Sequence, residues 1–197
     1  MPAPRVKELV RGWALPVGGA LGRVGVGPDA ITWLGLLLAA VAGILLMRGS
    51  WIAAFFILLA SSLCDLLDGA VARATGRGSR FGAALDSTID RYAEAVVLIG
   101  ILVYHASMGA PIWLYWLWGL ALTASFLVSY IRARAEGLGV SCEVGFLERP
   151  ERLVLVMLLC LIGPRGTPWI LGLLAAAGHV TAAQRLIHVK RALKGRA

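Results

Sequence analysis

The sequence predicts an all-α integral membrane protein, six transmembrane helices preceded by an N-terminal amphipathic helix at the membrane interface. Three observations carry that prediction. Hydrophobic residues fill 59% of the 197 positions and charged residues only 15%, with a mean hydropathy of +0.80. A soluble domain of this length is about half apolar and has no interior large enough to hide the excess. The apolar residues also fall into six runs, near 29–48, 51–68, 82–105, 112–132, 151–163 and 167–187. Most of these reach or approach the ~20 residues that cross a hydrocarbon core of about 30 Å as a helix. Finally, the cations sort by side. Of the 19 Lys and Arg, all but Arg48, Arg91 and Arg165 lie in the N-terminal segment, in or at the edges of the connections after the second and fourth runs, or at the C-terminal end. The positive-inside rule then places both termini in the cytoplasm. The net charge of +8 is accounted for by this topology and argues against a nucleic-acid partner.

Taken in order, residues 5–24 set Val6, Leu9, Val10, Trp13, Val17 and Leu21 at helical spacing, with Arg5, Lys7, Glu8 and Arg11 on much of the remaining surface. A basic amphipathic segment of this kind, interrupted here near Pro16, lies in the membrane interface. The first apolar run carries Gly35, Ala39 and Gly43 four residues apart, a stripe that lets helix backbones approach closely. The fifth run is short, ending before Pro164. With no internal repeat and no long linker, the chain divides into an interfacial helix (1–27), one six-helix bundle (28–187) and a basic cytoplasmic tail (188–197). No small-residue cleavage site follows residues 5–21, so a cleavable signal is not expected. Cys64, Cys142 and Cys160 form no CxxC and are expected as buried thiols, while His105, His179 and His188 lack the spacing of a zinc site.

Against this apolar background stands the stretch DLLDGAVARATGRGSRFGAALDSTID, residues 65–90. Asp65 and Asp68 are three apart at the end of the second run, and Asp86 and Asp90 four apart at the start of the third, so each pair shares one helix face. Gly69, Gly76, Gly78 and Gly82 allow the connection to turn back, which makes the two helices antiparallel neighbours with both pairs at similar depth. An aspartate at mid-membrane costs about 2.5–3.5 kcal/mol, so four approach roughly 10 kcal/mol. Raised pKa values, partners among Arg73, Arg77, Arg80 and Arg91, or bound cations would relieve that cost. All-oxygen ligands suit a hard cation, and two acidic pairs suit two ions a few Å apart at a phosphoryl-transfer site. Arg73 adds a fixed-charge fork for phosphate.

Asp65-x-x-Asp68-Gly69-x-x-Ala72-Arg73, then Gly82, Asp86 and Asp90 at intervals of eight, three and three residues, resembles the complete signature of the CDP-alcohol phosphotransferases. The resemblance implies an integral-membrane transferase that moves a phosphatidyl-type group from a CDP-linked lipid to an alcohol and releases CMP. It implies Asp65, Asp68, Asp86 and Asp90 as ligands of two Mg²⁺ ions, with Mn²⁺ as the alternative, and Asp90 also as general base on the acceptor hydroxyl. It further implies contacts to the CDP-lipid from Asp29, Thr32, Gly69, Arg73 and Ser79, the last at a position where members often carry Thr. Pro28 and Asp29 are equally ordinary at a helix start.

SYIRARAE (129–136) and GFLERPERL (145–153) resemble the phosphatidylinositol phosphate synthase branch, which implies inositol phosphate as acceptor, its phosphate held by Arg132, Arg152 and Arg185. That branch frequently has Lys at the position of Arg132. Independently, these three arginines end or begin three segments on the predicted cytoplasmic side, where they could converge on one anion or simply snorkel to the interface. The resemblance also implies a homodimer, and the charge pattern puts the active site of this cell-membrane protein toward the cytoplasm. Glycerol 3-phosphate as acceptor, an ether-linked CDP-lipid as in archaetidylinositol phosphate synthesis, and a divalent-cation transporter stand as alternatives.

Overall fold

The computed structural model describes residues 4–194, with side chains described from residue 14 onward. Seven α-helices follow one another: α1 Pro4–Arg23, α2 Pro28–Met47, α3 Trp51–Thr75, α4 Arg80–Ser107, α5 Ile112–Gly137, α6 Arg149–Ile162 and α7 Thr167–Lys194, the last preceded by a 3-10 turn at Pro164–Gly166. No strand occurs among the described residues. The helices form two compact units, Met1–Gly100 and Ile101–Ala197.

Among the described residues, four segments are long and apolar enough to cross a membrane: Pro28–Met47, Trp51–Thr75, Ile112–Gly137 and Pro164–Lys194. Their outer faces carry large apolar side chains without protein cover, including Leu37 at 60% exposure, Phe56 at 61% and Trp116 at 72%. A water-soluble surface rarely tolerates so many together, whereas lipid tails solvate them. α4 is long enough at 28 residues, but the part of it from Arg80 to Glu94 also carries Asp86, Asp90 and Arg91. α6 has 14 residues and rises about 21 Å at ~1.5 Å per residue, less than the core thickness.

Several helices outrun the apolar runs that predicted them. α3 continues seven residues past Asp68 to Thr75, and α7 continues through His188, Lys190 and Arg191 to Lys194. Hydrophobicity marks only the part of a helix in contact with lipid. The backbone continues while its hydrogen bonds hold and cations favour the C-terminal end of the dipole. Val189, only 9% exposed, anchors the α7 extension.

In the first unit, α2 and α1 both pack against α3. The stripe of small residues on α2 does what its spacing predicts. Ser61 Oγ donates to the Gly35 carbonyl at 2.9 Å, and Ala39 is 1% exposed. A β-carbon at Gly43 would sit 2.8 Å from the Val96 carbonyl oxygen of α4, and one at Gly100 would collide with the Gly43 backbone itself. Without a hydrophobic force between helices in lipid, such close backbone approach supplies the dispersion contact that holds them. On α1, the side chains through Trp13 lie outside the described residues; beyond them Ala14 is 2% exposed and Gly18 seats against the Ala70–Val71 backbone. α3 ends at Gly76, whose φ of 66° is open to glycine and lets the chain reverse within four residues into α4.

In the second unit, α5 packs on α7, Gly178 facing the Ala124 side chain. The non-helical segment 138–148 lies along α7. Val140, Cys142 and Leu147 are buried, and Val140 and Cys142 cluster with Ala135 and Val189. His188 Nε2 donates to the Ser141 carbonyl at 3.0 Å, and the Leu147 N–H to Thr181 Oγ1 at 3.3 Å. Cys64, Cys142 and Cys160 are buried free thiols, as their spacing predicts.

Candidate active site

The site begins at the entrance to α2. Gly27 caps the helix with extended backbone, Pro28 opens it, and Asp29 lies in the first turn, where a carboxylate favours the dipole. One turn further in, Thr32 Oγ1 donates to Asp68 Oδ2 at 2.7 Å, both residues being 7% exposed. Its alternative acceptor, the Pro28 carbonyl, is 3.2 Å away. A hydroxyl has one hydrogen to give, and the shorter contact to a carboxylate is the stronger. Thr32 therefore fixes the position of Asp68.

The reversal at Gly76 brings α4 back beside α3. One carboxylate oxygen from each of Asp65, Asp68 and Asp86 lies within 4.8 Å of the others. At that distance two unit charges repel by about 3–4 kcal/mol for an effective dielectric of ~20, a repulsion that a cation among them would convert to attraction. Three oxygen donors with no Cys or His suit a hard divalent ion. The cluster is thus close enough to hold metal. Asp90 stands one turn beyond Asp86 on α4 and is 9% exposed. Its Oδ2 lies 3.4 Å from Arg91 Nη1, but that nitrogen is turned to the Ser87 carbonyl at 2.7 Å.

Around the cluster lie the other residues named from the sequence. The Arg73 guanidinium lies over Gly69, so that a β-carbon at Gly69 would sit 3.2 Å from Arg73 Nη1. Arg73 is otherwise exposed. Ser79 stands immediately before α4: its Oγ accepts the Gly82 N–H at 2.8 Å, leaving the hydroxyl hydrogen to donate elsewhere. Gly82 also faces Asp29, whose Oδ1 would be 3.4 Å from a β-carbon there. Asp29, Ser79 and Gly82 thus meet where α2 and α4 begin.

The second unit holds the arginines. Arg185, 2% exposed, gives Nε to the Val144 carbonyl at 2.8 Å, Nη1 to the Val128 carbonyl at 2.7 Å and Nη2 to Glu148 Oε1 at 3.1 Å. Three of its five N–H groups are spent on protein, which ties α5, the 138–148 segment and α7 together. Arg152, also 2% exposed, reaches the Leu147 carbonyl at 3.5 Å. Arg132 pairs with Glu136 one turn along α5, Nε to Oε1 at 2.9 Å, on the surface. Arg132 and Arg152 both lie close enough to Arg185 to repel it.

Two features escape the sequence. The Thr32–Asp68 bond joins positions 36 apart, and nothing local marks it. Glu148 reads in sequence as one more charge in a run of alternating signs, yet it is the carboxylate paired with buried Arg185.

The family model for CDP-alcohol phosphatidyltransferase matches residues 26–183. The chain is 41% identical over 176 residues to the archaetidylinositol phosphate synthase of Methanothermobacter thermautotrophicus, covering 87% of each. It is similar to the crystal structure of Mycobacterium tuberculosis phosphatidylinositol phosphate synthase with CDP-DAG bound, at 36% identity and a TM-score of 0.83 over 90% of this chain and 93% of that one. A second structure of that enzyme, with manganese and citrate, matches at 36% identity and a TM-score of 0.82, over 89% and 88%.

Proposed function

The chain belongs to the CDP-alcohol phosphatidyltransferase family and is an enzyme of that class, and from this premise we propose that it makes phosphatidylinositol phosphate. The reaction transfers the phosphatidyl group of CDP-diacylglycerol to 1D-myo-inositol 3-phosphate and releases CMP. The observation that carries the reading is the group of Asp65, Asp68 and Asp86 oxygens within 4.8 Å, set in the family signature and braced by Thr32. Six spans, an interfacial α1, a cytoplasm-facing site in the cell membrane and a homodimer complete the proposal.

Asp65, Asp68, Asp86 and Asp90 would hold two divalent ions, Mg²⁺ or Mn²⁺. Such ions, when bound, neutralise charge on the pyrophosphate and on departing CMP. Manganese in the mycobacterial structure supports a divalent ion. Asp29, Thr32, Gly69, Arg73 and Ser79 bind the CDP-lipid, a role supported by the CDP-DAG held in that enzyme. Arg73 supplies the cation and Gly69 lets the nucleotide approach the helix backbone. Asp90 accepts the proton of the acceptor hydroxyl. The oxygen forms its bond to the lipid-side phosphorus as the bond from that phosphorus to the bridging oxygen breaks, and CMP leaves with the electron pair. Arg132, Arg152 and Arg185 hold the acceptor's phosphate; Arg185 retains two N–H groups for that purpose.

The 41% identity to an archaetidylinositol phosphate synthase favours a second reading, in which the donor is an ether-linked CDP-lipid. The test is CMP release by the purified full chain with Mg²⁺, given ester- or ether-linked CDP-lipid and each of inositol phosphate, glycerol 3-phosphate, inositol and serine. Turnover with inositol phosphate is expected. Turnover with glycerol 3-phosphate alone would overturn the acceptor, and turnover with the ether lipid alone would overturn the donor.

A further inference from the structure

Arg185 is almost wholly buried, and a carboxylate sits at one end of its guanidinium. That carboxylate, Glu148, has a side chain 38% exposed, so its inner oxygen faces the arginine while the rest of the group reaches an open side. It is the N-terminal cap residue of α6, but its side chain makes no capping hydrogen bond, so helix formation does not account for its orientation. Electrostatically it attracts Arg132 as well as Arg185, and Arg132 and Arg152 both lie near enough to repel Arg185. Glu148 is thus the carboxylate paired with buried Arg185, while two further guanidinium groups lie near enough to repel that arginine. Glu143 adds a weaker attraction on Arg132.

We propose that Glu148 is a resident counter-anion of the arginine cluster, an internal competitor that the phosphate of the acceptor displaces from Arg185. The inference rests on the assignment of Arg132, Arg152 and Arg185 to the acceptor phosphate. The other two partners of Arg185, the Val128 and Val144 carbonyls, belong to backbone and hold the guanidinium in place while the carboxylate swings away. A phosphate dianion offers more charge and more acceptor oxygens than a carboxylate and wins the exchange. A neutral alcohol cannot, because moving Glu148 without replacing its charge would leave buried Arg185 without an anionic partner. Glu148 therefore acts as a specificity-determining residue: it excludes unphosphorylated acceptors at the cost of some affinity for the phosphorylated one.

Glu148→Gln keeps an oxygen for Arg185 but removes the competing charge. In the full chain, with CDP-diacylglycerol and Mg²⁺, the variant is expected to lower the KM for inositol phosphate by about fivefold, with the change appearing in KM rather than kcat. Inorganic phosphate, measured alone by the thermal shift it produces, is expected to bind the variant more tightly by a similar factor. Glu148→Asp keeps the charge but withdraws it by one methylene, and is expected to fall between. An unchanged or raised KM in both variants, or a loss of kcat at constant KM, overturns the proposal in favour of a structural clasp. So does a Gln variant that fails to fold beside an Asp variant that behaves as wild type. Should the wild type release no CMP with inositol phosphate, the acceptor assignment fails instead. Phosphate binding then still decides whether Glu148 competes for the cluster.

Discussion

Replacing Thr32 with valine removes one hydroxyl and keeps the side-chain shape. The lost contact is the 2.7 Å donation to Asp68 Oδ2 between two residues each 7% exposed. A hydrogen bond to a charged group contributes about 1.5–3 kcal/mol, and the orphaned oxygen here has little water to turn to. Asp68 then loses the group that orients it toward Asp65 and Asp86, and at ~1.4 kcal/mol per decade the metal concentration for half-maximal activity rises about 10- to 100-fold. CMP release titrated with Mg²⁺ at saturating CDP-lipid reads this directly, and Thr32→Ser, which restores the donor, should return most of the loss. An unchanged metal titration in Thr32→Val, with a raised CDP-lipid KM, would show that the hydroxyl does not position Asp68. Thr32 would then act on the lipid alone and not through Asp68.

Asp90→Asn should abolish turnover while the chain still binds CDP-diacylglycerol, measured by protection against thermal unfolding; loss of lipid binding in step with turnover would assign Asp90 to the lipid. Gly100→Ala drives a methyl group into the Gly43 backbone, an overpacking worth about 1–3 kcal/mol. It should lower the Tm by several degrees, whereas Gly119→Ala, where nothing lies within 4 Å, should leave it within error. Removing divalent ions with a chelator should stop CMP release, and either Mg²⁺ or Mn²⁺ should restore it.

Much of the site is visible in sequence because its spacing is helical. Asp65 and Asp68, three apart, must share a face of any helix that contains them, and so must Asp86 and Asp90, four apart. Glycines between the pairs announce a reversal, which the structure makes at Gly76. The stripe of Gly35, Ala39 and Gly43 is legible for the same reason, since small residues one turn apart serve close packing. Less legible are the ends of helices, where composition turns polar while the backbone continues, as in α3 beyond Asp68 and α7 beyond Ile187. Nor does any local pattern show how a buried arginine is satisfied.

Composition, charge asymmetry and one motif of fixed spacing therefore determined by themselves that this is a helical membrane protein with a carboxylate cluster built for phosphoryl transfer. Composition and charge are summed along the chain, and the face shared by each carboxylate pair follows from periodicity within its own helix, so sequence records both. Tertiary structure alone decided that Thr32 braces Asp68 from a different helix, and that Arg185 meets Glu148 and two backbone carbonyls contributed by residues up to 57 positions away. Such contacts depend on where separate helices and a non-helical segment come to rest against one another. That placement is set by packing across the whole fold and leaves no period in the chain.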